Sequence, residues 1–257
     1  MTADRLADLS TLANAAARHA GELLRSRPEH VDHKGAADLV TEIDLASEAR
    51  IREALAPSGI PVQGEERGGV ATGLRWVVDP LDGTTNFVHD YPFYCVSIGL
   101  VEDDSPVVGA IYDPIRDKLY AAFGATPTTR NGAPVRVSQA RRIADSLCVT
   151  GFPMDKRERT PANLPFVEKS LLHSHGIRRS GSAAMDLATV AAGQVDVYWE
   201  FGLKAWDTAA GQRIVQNAGG VVCRLDGSDH IPGDPEIVAT NPYLRDELLS
   251  LFADLHR

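Results

Sequence analysis

Trp76-Val77-Val78-Asp79-Pro80-Leu81-Asp82-Gly83-Thr84-Thr85-Asn86-Phe87 is the stretch around which the chain is organised. Trp76, Val77 and Val78 form a continuous apolar run, as expected of a strand covered on both faces. Pro80 has no N–H to donate, so the ladder is expected to stop there. Asp79 and Asp82 then sit at the strand mouth, three residues apart and able to reach one point. Gly83-Thr84-Thr85 reads as a tight turn or a first helical turn, whose free N–H groups suit an anion such as phosphate. Carboxylates for hard cations beside amides for phosphate point to metal-assisted phosphate chemistry. Taken alone, Asp-Pro-Leu-Asp-Gly is also an ordinary turn composition, so the rest of the chain must decide.

The 257 residues, 44% hydrophobic and 24% charged, suffice for one large domain or two small ones. A net charge of −9 argues against nonspecific binding to nucleic acid or acidic membranes. Cys95, Cys148 and Cys223 are far apart and lack metal-finger spacing, which suits free thiols in a reducing cytoplasm. No apolar signal core opens the chain and no apolar run reaches membrane-spanning length, so a soluble cytoplasmic protein is expected.

Leu6, Leu9, Ala13, Ala16, Ala17, Ala20, Leu23 and Leu24 recur at helical spacing, ending before Pro28. His19 on this helix reads as a surface residue. Lys34-Gly35 reads as a loop. A second helical pattern runs through Leu45, Ile51 and Leu55, with Asp44 where an N-cap belongs. A short strand at 60–63 leads into Gly64-Glu65-Glu66, where an extended backbone lets only one glutamate face a given point. Strands are expected at 94–101, 107–112 and 118–123, then a turn at Arg130-Asn131-Gly132 and a strand at 135–137: an antiparallel meander. Beyond about residue 140 strands alternate with helices, which places a boundary near 138–145. The expected halves are an α+β part, 1–140, and an α/β part, 141–257. Helices are expected at 163–172, after Ser182-Ala183-Ala184, from Asp207 to a stop at Gly219-Gly220, and at 242–255; strands at 195–200, 221–224 and 237–239. Asp207 is another N-cap candidate, at a strand-to-helix mouth where α/β proteins bind ligands.

Glu65, Asp79, Asp82 and Asp207 thus stand at element ends. Convergence without a cation would be strongly repulsive, and an all-oxygen set selects Mg²⁺ or Mn²⁺ over zinc. There is no Asp-x-Asp-x-Thr, no phosphate loop ending in Gly-Lys-Ser/Thr, no Gly-x-Ser-x-Gly elbow and no Cys-x5-Arg loop. A covalent intermediate is therefore not expected, and activated water is the natural nucleophile.

Gly64-Glu65-Glu66, the 79–87 segment and Trp206-Asp207-Thr208-Ala209-Ala210-Gly211 resemble the signature set of the inositol monophosphatase family. The segments 38–44 and 178–184, Glu200 and Gly219-Gly220 resemble it too, in order and across nearly the whole chain. The set is specific to the lithium-sensitive phosphatase superfamily, and the bacterial inositol monophosphatases are the nearest in pattern. The resemblance implies a layered αβαβα sandwich of the inositol monophosphatase and fructose-1,6-bisphosphatase type, commonly a homodimer. It implies two to three Mg²⁺ per subunit, with Mn²⁺ as a substitute. Glu65, Asp79 and the Leu81 carbonyl would hold one ion; Asp79, Asp82 and Asp207 a second; Glu65 would help place a third through water. Thr84 with Asp44 would orient and deprotonate the attacking water, the Gly83 and Thr84 amides would bind phosphate, and Glu200, near Ala183, would contact substrate hydroxyls. Asp207 would also border the substrate. Leu81 replaces the commoner isoleucine, harmlessly for a carbonyl ligand.

The leading expectation is a phosphatase acting on inositol monophosphate. Histidinol phosphate, fructose 1,6-bisphosphate and 3′-phosphoadenosine 5′-phosphate are alternatives within the same fold. An interaction protein with secondary catalysis is the alternative of another class.

Overall fold

The computed structural model describes residues 1–33, 39–153 and 156–255. Lys34-Gly35 and Asp38, named above, lie outside the described residues. In chain order the elements are α1 (Ala3–Gly21), β1 (Val31–His33), β2 (Leu39–Thr41), α2 (Glu42–Leu55), β3 (Val62–Gly64), β4 (Arg75–Asp82), α3 (Thr84–Val88), β5 (Cys95–Glu102), β6 (Ser105–Asp113), β7 (Lys118–Phe123), β8 (Thr129–Arg130) and β9 (Ala133–Pro134). Then come β10 (Leu147–Thr150), α4 (Lys156–His173), β11 (Gly176–Arg179), α5 (Ala183–Ala191), β12 (Val197–Phe201), α6 (Ala205–Asn217), β13 (Val221–Cys223), β14 (Glu236–Thr240) and α7 (Arg245–Phe252).

Strands β3 to β9 form a seven-stranded sheet in sequence order, antiparallel except for the parallel β3–β4 pair. A five-stranded mixed sheet runs β11-β10-β12-β14-β13, and β1 pairs with β2 alone. Apolar faces dictate the stacking. The Leu9, Ala13, Ala16 and Ala20 face of α1, with Ile51 and Leu55 of α2, covers one face of the large sheet. Helices α5 and α6 lie between the two sheets, their Leu187, Val190, Ile214 and Val215 packed against Ile111 and Tyr120 on one side and Tyr198 and Ile237 on the other. Phe166 of α4 and Leu248 and Phe252 of α7 cover the far face of the small sheet around Trp199. The result is five layers, αβαβα.

The contact between α6 and the large sheet is unusually close, because Gly99 and Gly109 face each other in register on β5 and β6. A Cβ on Gly109 would lie 2.4 Å from the Ala210 carbonyl oxygen, and one on Gly99 would lie 2.9 Å from the Ala210 nitrogen. Two missing side chains thus let the helix backbone rest on the strands.

Several expectations are corrected. Strand β4 does not stop at Pro80 but runs on to Asp82. Its pairing with β5 shifts register between Asp79 and Asp82, so the missing N–H falls where the ladder is already interrupted. The strand expected at 135–137 is instead the two-residue β9, closing directly on the Asn131-Gly132 turn. Helix α4 begins well before residue 163, and α7 is shorter at both ends than 242–255.

Candidate active site

Strand β3 ends beside the middle of β4: Glu65 N–H donates to the Val78 carbonyl at 3.3 Å. Glu65 is therefore carried to the level of Asp79, while Glu66 turns away and its N–H donates to Glu48 Oε2 at 2.7 Å. Only Glu65 of the two lines the cavity at the mouth of β4; both glutamates lie in the turn after β3 and not on the extended backbone expected from the sequence. The interrupted end of β4 turns both Asp79 and Asp82 toward that cavity. Gly83 then enters α3 with φ +102°, and a Cβ there would crowd the Phe93 carbonyl at 3.1 Å.

Asp44 and Asp207 are not N-caps. The caps are Thr41 and Lys204, and each aspartate stands three residues in, reaching back. Asp44 Oδ2 accepts from Thr41 N–H (2.8 Å) and Thr41 Oγ1 (2.6 Å), and Asp207 Oδ2 accepts from Lys204 N–H (2.7 Å). The same local device frees the other oxygen of each. Asp44 Oδ1 accepts from Thr84 Oγ1 at 3.1 Å. That single hydroxyl hydrogen is shared with the Leu81 carbonyl, also 3.1 Å away.

A cavity of about 410 Å³ gathers Glu65, Asp79, Leu81, Asp82, Gly83 and Thr84 from one side. Ala183, Glu200 and Asp207 close it from the other. Of the ten residues singled out from the sequence, only Asp44 does not line it, standing behind Thr84. The electrostatics are severe. Burial, then the Glu65, Asp82 and Asp207 carboxylates, push the Asp79 carboxyl well above its usual range. Burial, then Asp82, does the same to Asp207. Burial raises Asp82 to about 6 despite hydrogen bonds from Ser182 and Ala184, and raises Asp44 against the donors of Thr41. Glu200 rises to about 7 by burial, opposed by the Tyr198 hydroxyl that donates to its Oε2 at 2.8 Å.

Among the described residues no three acids, histidines or cysteines already converge as a closed metal cage. The donor chemistry nonetheless fits a hard cation. Asp79 Oδ1 accepts from Leu81 N–H (3.0 Å), Asp82 Oδ2 from Ser182 Oγ (2.8 Å) and Ala184 N–H (2.6 Å), and Asp207 Oδ2 from Lys204. Each aspartate so commits an oxygen to hydrogen bonds within the protein. Mutually repelling carboxylates at one cavity suit a hard cation.

Sequence reasoning missed Ser182 and Ala184, which tie α5 to Asp82 across the two sheets. The signal was local: Ser182 is the N-cap of α5, its Oγ accepting from Met185 N–H. That the same hydroxyl reaches Asp82 could not be read without the tertiary fold. Tyr198, the partner of Glu200, reads in the sequence only as a strand residue.

The model of the inositol monophosphatase family matches residues 5–257. An inositol-1-monophosphatase of Synechocystis is 42% identical over 236 residues, 90% of this chain and 82% of its own length. The protein named Nus factor SuhB in Escherichia coli is 37% identical over 253 residues, 95% of each chain. The solved inositol monophosphatase of Anabaena superposes with a TM-score of 0.88 at 38% identity, covering 97% of this chain and 96% of that one. The five layers are those of the same fold.

Proposed function

The chain belongs to the inositol monophosphatase family and is a phosphomonoesterase, a hydrolase; on that premise we propose that it hydrolyses inositol monophosphate to inositol and phosphate, dependent on Mg²⁺. The observation that carries this reading is the cavity of about 410 Å³ lined by Glu65, Asp79, Asp82, Asp207 and Glu200. Its clustered aspartates suit a metal-assisted phosphate, and Glu200 offers an acceptor for a polyol hydroxyl.

Glu65, Asp79, Asp82, Asp207 and the Leu81 carbonyl are the groups that would hold two to three Mg²⁺. Bound there, the ions supply Lewis acidity to the attacking water and to the leaving oxygen. The chain does the rest. Thr84 Oγ1 accepts a hydrogen from the attacking water while donating its own to Asp44 Oδ1, so the water is oriented toward phosphorus and its proton has a path outward. Asp44 suits that task because burial raises its carboxyl toward accepting a proton. Engagement of the Leu81 carbonyl would hand the shared Thr84 hydrogen entirely to Asp44. The Gly83 and Thr84 N–H groups bind phosphate oxygens. Glu200, its Oε2 fixed by Tyr198, keeps Oε1 to accept from substrate hydroxyls. Water adds to phosphorus, the ester P–O bond breaks, and the alcohol leaves with a proton.

Phosphate release measured with Mg²⁺ over inositol monophosphate, histidinol phosphate, fructose 1,6-bisphosphate and 3′-phosphoadenosine 5′-phosphate tests the substrate. The highest kcat/KM is expected for inositol monophosphate. A higher value for any of the others would replace the proposed substrate and leave the phosphatase class standing. We also propose a homodimer, as the family resemblance implies, for which sedimentation is the check.

A further inference from the structure

Where α2 covers the large sheet, its buried face is not wholly apolar. Asp44, Ser47 and Glu48 stand three and four residues apart and so share one face, and each is 1% exposed or less. Asp44 meets Thr84 of α3. Ser47 Oγ donates to the Pro80 carbonyl of β4 at 2.8 Å. Glu48 meets the turn after β3 that carries Glu65. The mechanism gives Glu48 no part, although burying a carboxylate is costly.

Glu48 does not line the catalytic cavity, and both of its oxygens are committed within the protein. Oε1 accepts from Arg52 Nε and Oε2 from Glu66 N–H, each at 2.7 Å. Arg52 extends the grip. Its Nη1 donates to the Val62 carbonyl at 3.0 Å and its Nη2 to the Gly68 carbonyl at 2.7 Å, the same carbonyl that accepts from Gly64 N–H. Gly64 rests directly on the carboxylate. A Cβ there would lie 2.6 Å from Glu48 Cδ and Oε1, so with both oxygens held only glycine admits this approach. Glu65 is thus flanked by two residues, Gly64 and Glu66, fixed on one buried side chain. A buried ion pair is a weak source of net stability; what this one supplies is position.

We propose that Glu48, backed by Arg52, is the positioning residue of Glu65. It fixes where the Glu65 carboxylate stands relative to Asp79, and so sets how tightly the chain holds the divalent ion they share. This rests on the reading of Glu65 as a metal ligand. Groups that orient metal ligands commonly change affinity by about ten- to a hundredfold when removed.

The test titrates Mg²⁺ calorimetrically into full-length, chelator-stripped protein, at a temperature where melting curves show each variant folded. Glu65→Gln identifies the ion that Glu65 holds, as the one whose Kd it raises. A glutamine at 48 cannot accept from both Arg52 and Glu66, because one end of its amide is a donor. Glu48→Gln is therefore expected to raise that same Kd by about tenfold or more. Arg52→Lys keeps a charge beside Glu48 but loses the fork that holds two carbonyls, and should raise the Kd by a smaller factor. Where Glu48→Gln does not fold, Arg52→Lys stands in for it. On the Glu65→Gln background either substitution should add nothing further, because both act through Glu65. A general structural role would weaken binding by the same factor with or without Glu65. In turnover, the Mg²⁺ needed for half-maximal rate should rise with the Kd, while kcat at saturating Mg²⁺ changes far less. An unchanged Kd in the folded variants, or an equal further loss on the Glu65→Gln background, would overturn the proposal. A wild-type Kd in Glu65→Gln itself would overturn the ligand reading, and the proposal with it.

Discussion

Replacing Asp82 by asparagine should stabilise the metal-free protein while abolishing most of its activity. Burial holds the Asp82 carboxyl at about 6 against an ordinary 3.8. Ionising it in the folded state therefore costs about 3 kcal/mol more than in the unfolded chain. The sign follows from linkage. Below pH 3.8 the group is neutral in both states and the variant gains nothing. The penalty grows as pH rises from 3.8 to about 6 and is complete above it. Asparagine keeps an oxygen for Ser182 and Ala184 but carries no charge, so at pH 7.5 in chelator Asp82→Asn should gain about 3 kcal/mol, or roughly 6–12 °C in Tm. With saturating Mg²⁺ the order should reverse, because a ligand that binds only the folded wild type stabilises it by mass action. Urea unfolding at pH 4 and 7.5, with and without Mg²⁺, reads all four corners. Turnover of the variant should fall by orders of magnitude even at saturating Mg²⁺. A variant less stable than wild type in chelator at pH 7.5, or one with near-normal turnover, would refute the reasoning.

Asp44→Ala and Thr84→Ala should each cut kcat strongly, and the double variant should be little worse than either, since the two act as one unit. Loss of the Thr41 contacts should separately cost Asp44→Ala about 1 kcal/mol of stability, visible in urea melts. Gly109→Ala should cost at least about 2 kcal/mol, because its Cβ would meet backbone rather than a movable side chain; an unchanged melting curve would contradict the close helix contact. If Asp79, Asp82 and Asp207 hold a divalent ion as proposed, Li⁺ should inhibit uncompetitively with substrate, and the larger K⁺ should not. Inhibition that substrate fully overcomes, or equal inhibition by the two ions, would count against a product-trapping site built from Asp79, Asp82 and Asp207.

Local signals carried most of the site. The apolar run before Asp79, the glycine at 83 and the acids at element ends are all short-range features, whereas Leu81, Ala183, Glu200 and the pairing of Thr84 with Asp44 are marked only by the family resemblance; of the ten, all but Asp44 line one cavity. The errors are equally physical. Asp44 and Asp207 look like cap candidates in the sequence because a carboxylate near a helix start looks alike at the cap and three residues in. What separates the positions is where the first intrahelical bond begins, and Thr41 and Lys204 settle that. Pro80 reads as a strand end because composition does not reveal a register shift. The reach of Ser182 and Ala184 to Asp82 was invisible, since it joins residues about one hundred apart in the chain. Only the stacking of α5 between two sheets brings them together.

The order of the acidic residues along the chain bears on how the protein comes into being. Glu65, Asp79 and Asp82 are all made within the first third of the polypeptide, whereas Asp207 rides on α6, which also fills the space between the sheets. An emerging chain can complete the seven-stranded sheet before α6 exists, leaving its Gly99 and Gly109 surface open to solvent. The docking that covers that surface is the same event that drives the fourth carboxylate toward the other three. Hydrophobic gain and charge repulsion thus arrive in a single late step of biogenesis. A cell short of divalent cation would meet the cost there, as newly made chains that stall with the first sheet formed and the last helices undocked.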